Sequence, residues 1–247
     1  MRTFIIGDVH GCIDEFRELV AMARPEDRVV QVGDLMDRGP APAECVRFAR
    51  ECGIEVILGN HDEKHLRWRR REDARKIRGI PNAMRPFPPE VAAQNEMLSP
   101  EDIAWLTARP LWLDVAPGWR AVHAGFEPGV PMEKQRPEKV IRVRFVDPET
   151  GEMVSLEEGN ADQPVGSVRW HSMWEGPNVV FGHAVQGRTP VTYMTNGTPP
   201  WCVGIDTGCC YGGSLTALIL EEGREPTFAS VIARRAYYTQ HVPKELR

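Results

Sequence analysis

Three short stretches carry the side chains best suited to chemistry: Gly7-Asp8-Val9-His10-Gly11, Gly33-Asp34-Leu35-Met36-Asp37-Arg38-Gly39 and Gly59-Asn60-His61-Asp62. Their opening glycines stand 26 residues apart each time. A lone Gly-Asp after an apolar run is usually a turn. Three at equal spacing would deliver Asp8, His10, Asp34, Asp37, Asn60 and His61 into one crevice. Carboxylates gathered there are costly unless a cation compensates them. A mixed set of aspartate, histidine and asparagine suits Mn²⁺, Fe or Zn²⁺ better than a soft metal. The donors are too many for one tetrahedral zinc. They suit two metals sharing a carboxylate, roughly 3.5–4 Å apart.

The elements that must position these groups follow from the pattern between them. Thr3–Ile6, Arg28–Val32 and Ile54–Leu58 are short apolar runs, each ending at one of the glycines. Ile13, Phe16, Leu19, Val20 and Ala23 recur at helical spacing after the first. Pro40 and Pro42 suit a helix start after the second, with Cys45, Phe48, Ala49 and Cys52 on one face. This is the rhythm of consecutive βαβ units. Such units are right-handed and set successive strands parallel, so their C-terminal ends line one sheet edge, where ligands bind. Residues 60–78 read as a basic helix, and Ser99-Pro100-Glu101-Asp102 as a capped helix start with Ser99 as N-cap. From Leu111 the pattern turns to short β-like runs: Leu111–Val115, Arg120–His123, Val179–Gly182, Val191–Thr195, Cys202–Ile205, Leu215–Leu220 and Phe228–Ala233. The polar stretch 127–167 reads as a long excursion holding one hairpin around Val140–Val154.

The three motifs, in this order, resemble the signature of the phosphoprotein phosphatase branch of the calcineurin-like metallophosphoesterases. Val122-His123-Ala124-Gly125 and Phe181-Gly182-His183 resemble that family's two later histidine motifs, so the likeness spans residues 4–220. Gly59-Asn60-His61-Asp62-Glu63-Lys64 with Arg67-Trp68, and Gly204-Ile205-Asp206-Thr207-Gly208 with Gly212–Leu218, look most like bacterial members. Those are the diadenosine tetraphosphatase-like enzymes, the phosphatase module of polynucleotide kinase-phosphatases, and the lambda phage phosphatase. Eukaryotic members usually carry Glu where Asp62 stands.

The resemblance implies an α/β fold, a four-layer α/β/β/α sandwich. It implies that Asp8 and His10 hold one metal, that Asp34 bridges both, and that Asn60, His123 and His183 complete the second. Asp37 would pair with His61 and orient it as general acid, and Arg38 would bind phosphate oxygens. A second phosphate-binding arginine is expected between the late histidine motifs. Arg144 is the first choice by its position after His123, with Arg142 and Arg169 as rivals. The cofactor expected is a pair of divalent ions, Mn²⁺ first, with Fe, Zn²⁺ or Ni²⁺ as alternatives. A hydroxide between two cations would attack phosphorus directly. Arg38's planar fork would stabilise the equatorial oxygens, His61 would protonate the leaving oxygen, and Asp37 would favour the imidazolium form of His61. Two metals bring four positive charges against two negative ones from Asp8 and Asp34, so the site favours anions.

The expected activity is hydrolysis of phosphomonoesters, in the manner of a serine/threonine phosphatase, or of dinucleoside polyphosphates. The alternatives are a main activity as diadenosine tetraphosphatase or nucleic-acid-end phosphatase and, more remotely, a non-catalytic nucleic-acid binder. Substrate partners are thus a phosphoprotein, a nucleotide or a dinucleoside polyphosphate. Nucleic acid is a further partner if the run 64–78 acts as a basic wall. That run holds eight Lys/Arg against Glu72 and Asp73, and the plainer reading is a solvated helix with i,i+4 pairs such as Glu72–Lys76. Trp68 is the tryptophan best placed to stack on a base; the others, Asp206, His65, His171 and His241 read as structural or surface residues.

Composition bounds the rest. The chain has 247 residues, 42% hydrophobic and 26% charged, which excludes disorder and a coiled coil. A net charge of −5 argues against a general nucleic-acid coat. One domain over 1–247 is expected, with a basic helical cap region about 60–108. No apolar run reaches the ~18 residues of a membrane span. The N-terminal apolar stretch is shorter than the roughly 7–15 residues of a secretory signal. Six cysteines without a CxxC pair fit a reducing cytoplasm. No GxxxxGK[ST] motif supports P-loop chemistry. Nothing in the sequence assigns an oligomeric state.

Overall fold

The computed structural model describes residues 2–156, 162–195, 198–240 and 242–247. His241 therefore lies outside the described residues. The first third contains β1 (Arg2–Ile6), α1 (Ile13–Val20), β2 (Arg28–Gln31), α2 (Pro42–Glu51) and β3 (Glu55–Val56). β1 pairs parallel to β2, and β2 parallel to β3, as the βαβ rhythm requires. The basic helix α3 (Asn60–Arg78) follows, then α4 (Pro89–Glu96) and α5 (Pro100–Thr107). Ser99 accepts from the Asp102 N–H and Asp102 accepts in return from the Ser99 N–H, the reciprocal cap that starts α5.

The remaining chain forms β4 (Trp112–Ala116), β5 (Trp119–Val122), the short α6 (Pro137–Val140), β6 (Phe145–Val146), β7 (Met153–Val154), β8 (Val168–Arg169), β9 (Asn178–Phe181), β10 (Val191–Thr195), β11 (Thr198–Gly204), β12 (Ser214–Glu221) and β13 (Thr227–Ile232). Two five-stranded sheets result, ordered β13-β12-β1-β2-β3 and β10-β11-β9-β5-β4. In the second, β5, β9 and β11 run parallel, so it too has strand ends aligned on one edge.

Alternation along each strand sorts the core into layers. Ile5, Val30, Val32, Ile57, Ala121, Val180, Val203 and Leu218 pack between the two sheets. Phe4 and Ile6, on the opposite face of β1, pack with Phe16 and Leu19 of α1 and with Cys45, Val46 and Ala49 of α2. The outer face of the second sheet is covered by α6, a 3₁₀ turn at Trp170–Met173 and a small β7-β6-β8 sheet, around Trp170, Phe126 and Phe181. The hairpin expected around Val140–Val154 is narrower, β6–β7, because Val140 ends a helix and Val143 enters the core. On α2, Cys45 and Ala49 are buried but Cys52 is exposed just past the last turn. All six cysteines are free. Among the described residues, no helix is long and apolar enough to cross a membrane.

Candidate functional site

The loops after β1, β2, β5 and β9 meet the N-terminus of α3 where the parallel strands of both sheets end. Backbone bonds knit the first two loops together: His10 N–H donates to Asp34 O at 2.8 Å, Gly11 N–H to Leu35 O at 3.0 Å and Gly39 N–H to His10 O at 2.8 Å. Among the described residues, the non-glycine positions with positive φ are His10, Asp34, Asp37, Arg38 and His183. All five belong to this one site. Each such conformation costs of order 1–3 kcal/mol and persists only where surrounding contacts impose it. Glycine is needed where backbones nearly touch. A Cβ on Gly59 would overlap the Asp34 backbone and carboxylate, and one on Gly182 would overlap Asp8 Oδ1.

The structure brings Asp8, His10, Asp34, Asn60, His123 and His183 together. His10 Nδ1–H donates to Met36 O at 2.8 Å and His123 Nδ1–H to Val32 O at 2.9 Å, which turns both Nε2 atoms inward. They lie 3.5 and 3.4 Å from Asp34 Oδ2. Asn60 Oδ1 lies 2.9 Å from His123 Nε2 and 2.7 Å from His183 Nδ1. The His183 N–H reaches Asp8 at 3.0 Å. Asp34 also accepts the His61 N–H at 2.8 Å, so the start of α3 is tied to the β2 loop.

Burial shapes the electrostatics. It raises the Asp8 carboxyl well above the usual range, with the Asp206 and Asp34 carboxylates adding to the rise. Burial also drives His10 and His183 well below the ordinary imidazole value, helped by Arg38 and Arg144 respectively. At His123 burial is outweighed by Asp34, and its pKa stands at about 9. Buried acids facing one another, with the lowered imidazoles of His10 and His183 turned onto them, form a donor set in which only the proton held on His123 offsets the carboxylates. That is the condition a divalent cation relieves. Of the three trios among the described residues whose ligand atoms lie within 4.8 Å of one another, two stand here: His10, Asp34 and His61, and Asp34, His123 and His183; the third is Cys12, Glu15 and Cys209, and Asp8 belongs to none. Asp34 is common to the two at this site. The residues therefore fit two ions, with one adjustment. Arg38 Nη1 lies 2.8 Å from His10 Nε2, and an ion held by that nitrogen must replace this contact.

His61, the third member of the first trio, is held by Asp37 and Arg38. Its Nδ1 is 2.6 Å from Asp37 Oδ2 and its Nε2 3.2 Å from Arg38 Nη2. Asp37 is held from three sides, with His65 Nε2 at 3.0 Å and Lys64 Nζ at 3.4 Å as well. Burial opposes its ionisation, but the His61 and His65 donors overcome it and hold the carboxyl well below the usual range. Asp37 does favour the imidazolium form of His61, as expected from the pairing, but it does not act alone. Burial, with Arg38 alongside, lowers the His61 pKa despite Asp34 and Asp37.

The three candidate arginines separate cleanly. Arg144 points into the site, its Nε donating to His183 Nε2 at 3.1 Å. Arg142 turns away to Glu63 at 2.7 Å. Arg169 lies farther out, over the Phe145 ring, lining the same cleft as Arg144 and Arg38.

Four participants are not legible as such in the sequence. Asp62 is fully buried and accepts the N–H groups of Asp34 at 2.8 Å, Met36 at 3.0 Å and Gly59 at 3.1 Å. His65, one turn after His61 on α3, takes the structural of its two readings: it is buried and braces Asp37. Asn95 holds it in place, donating to His65 O at 3.0 Å. The i,i+4 spacing of the two histidines is the available signal for His65. Asp206 does shape a turn, accepting the Gly208 N–H at 3.0 Å, but its buried carboxylate also faces the cleft.

The basic helix is more neutral than its sequence. Lys64, Arg67, Arg69, Arg75 and Lys76 each have a carboxylate partner. The Glu72–Lys76 pair does not form, because Glu72 bonds Arg75 and Asn82 instead. Trp68 stacks on Phe87 with centroids 4.3 Å apart, so that face is closed to a base.

The family model for calcineurin-like phosphoesterases matches residues 1–193, more than three-quarters of the chain. The chain belongs to the calcineurin-like phosphoesterase family. This phosphoesterase is therefore a hydrolase of phosphate esters, and its family implies divalent metal ions. It is 29% identical to the symmetrical bis(5′-nucleosyl)-tetraphosphatase of Chromohalobacter salexigens, over 93% of this chain and 100% of the relative. It is 25% identical to the protein of that name from Serratia proteamaculans, over 90% and 92%. A crystal structure of a candidate diadenosine tetraphosphatase superposes with a TM-score of 0.71 at 28% identity, covering 94% of this chain and 93% of the other. A Saccharomyces cerevisiae serine/threonine phosphatase shares the fold at a TM-score of 0.56 and 11% identity, over 94% and 80%.

Proposed function

We propose that this phosphoesterase hydrolyses dinucleoside polyphosphates, and phosphomonoesters less well, with two divalent cations at the Asp34 centre, Mn²⁺ first among them. The observation that carries the reading is Asp34 itself, one carboxylate shared by the trios with His10 and His61 and with His123 and His183, which Asp8 and Asn60 adjoin through His183. Asp8 and His10 would hold one cation, Asn60, His123 and His183 the other, and Asp34 both. When bound, the pair supplies Lewis acidity that acidifies water and neutralises phosphate oxygens.

The protein's own side chains do the rest. Arg38 and Arg144 are neighbouring guanidiniums; burial and the Arg38 charge lower the Arg144 pKa, a strain that an anion between them relieves. They grip the phosphate oxygens and align the group. Asp37 accepts the Nδ1–H of His61 and favours its imidazolium form, the form whose Nε2–H would pass to the departing oxygen. His65 and Lys64 keep Asp37 ionised and fixed for that task.

The choice of substrate draws support from the relatives' names and from a cleft far larger than one phosphate. The test is a panel on Mn²⁺-loaded protein: diadenosine tetraphosphate, p-nitrophenyl phosphate, a phosphopeptide and a phosphorylated oligonucleotide. The highest kcat/KM is expected for the tetraphosphate, and Asp34→Asn should abolish turnover of all four. A phosphopeptide or oligonucleotide that outpaces the tetraphosphate would replace this reading.

A further inference from the structure

The cleft that opens from the centre has about 490 Å³ of free volume, the range of sites for nucleotide-sized ligands. Its inner end is Arg38, Arg144, His183 and Asp206. Its outer end owes nothing to the phosphoesterase motifs. Arg169 enters from β8, and Lys244 and Arg247 from the segment 242–247. Five cations line the cleft against three carboxylates, Asp162, Asp206 and Glu245, so it favours an anion even without metal. Val242 and Pro243, both partly exposed, add apolar lining, while Phe145 is buried beneath Arg169.

The segment that supplies this wall is pinned. Leu246 is buried against Gly208, in the turn that follows Asp206. Arg188 Nη2 donates to Leu246 O at 2.6 Å, and Lys244 pairs with Asp162 at 2.6 Å. Lys244 and Arg247 are exposed, while the residues between and before them are partly or fully buried. The anchors thus fix a strap beside the reaction centre, on which Lys244 is shared with Asp162 and Arg247 Nε donates to Val242 O at 3.1 Å, so an anion must draw Lys244 from Asp162.

We infer that the outer cleft is a second binding subsite, for the phosphate chain and nucleoside beyond the reacting phosphorus. Arg169, Lys244 and Arg247 take the additional phosphates, and Val242 and Pro243 seat the nucleoside. It recognises a nucleoside 5′-diphosphate unit and confers preference for polyphosphates over simple monoesters. The inference rests on the proposed phosphoesterase centre but not on tetraphosphate cleavage.

The test is competition against p-nitrophenyl phosphate hydrolysis at fixed free Mn²⁺, with ADP and inorganic phosphate as inhibitors. Phosphate reaches the inner end alone, whereas ADP spans both ends. In the wild type, ADP should inhibit at least about tenfold more tightly than phosphate, the worth of one charge-assisted contact. In Arg169→Gln/Lys244→Gln that ratio should fall about tenfold, and Lys244→Glu, a surface change that spares the core, should lower it in the same direction. Equal inhibition by ADP and phosphate in the wild type, or an unchanged ratio in both variants, would overturn the subsite. Tight, variant-sensitive ADP inhibition in a protein that leaves diadenosine tetraphosphate uncut would instead keep the subsite and reject the proposed substrate.

Discussion

Removing the Asp62 carboxylate should loosen the site from behind without touching a ligand. Its two oxygens accept three backbone N–H groups, from Asp34, Met36 and Gly59, and the side chain is fully buried. Asp62→Ala leaves all three donors without that partner. At about 1–3 kcal/mol for each buried unsatisfied group, partly relieved by water entering the gap, a loss of about 4 kcal/mol follows. Asp62→Asn costs less. Its amide can turn the oxygen toward Asp34 and Gly59 and set only its NH₂ against the Met36 N–H, for about 2 kcal/mol. The assay is urea unfolding of both variants, read as a lower midpoint at constant slope. Because Asp34 is held at positive φ partly by this bond, Mn²⁺ affinity should fall in the same order. Two variants of equal stability, or an Asn variant matching the wild type, would refute the idea that these three bonds position Asp34.

Other expectations follow from the same contacts. Gly182→Ala forces a Cβ onto Asp8 Oδ1, and metal affinity measured by titration should drop about 10–100-fold, as for other changes that displace a ligand's support. His61→Ala should slow alkyl phosphates and tetraphosphate by about 10²-fold or more while sparing p-nitrophenyl phosphate, whose leaving group needs no proton; equal losses would remove His61 from the acid role. His171 is buried with its Nε2 unpartnered, and burial, with Arg169 nearby, lowers its pKa to about 4. The folded state therefore binds fewer protons than the unfolded chain between about pH 6.5 and 4. Stability is intact above that window and falls through it, by at most about 3 kcal/mol. In His171→Phe, the slope of melting temperature against pH in this window should flatten.

What the chain reveals before folding, and what it hides, have physical reasons. Gly7, Gly33 and Gly59 mark strand exits because an apolar run must end there and the backbone must turn, so local pattern suffices. The βαβ order, the capped start at Ser99 and the later strands follow from the same local signals. Asp62 and His65 sit in an otherwise polar helix, and their burial depends on Met36, Asn95 and Phe87, which lie at remote positions in the chain. The choice among Arg142, Arg144 and Arg169 stays open in the sequence for the same cause. Glu63 on α3 captures Arg142 from 79 residues away, and no spacing rule reports that. The protonation balance of His61 is hidden because pairing with Asp37 is visible in the motif, whereas the burial that outweighs it arises only when the loops close over the ring.

The most direct test of the central claim is anomalous diffraction at the manganese edge from crystals of the Mn²⁺-loaded protein. The account expects two ions per chain, roughly 3.5–4 Å apart, with the Asp34 carboxylate coordinating both. A single ion, or two that do not share Asp34, would contradict it.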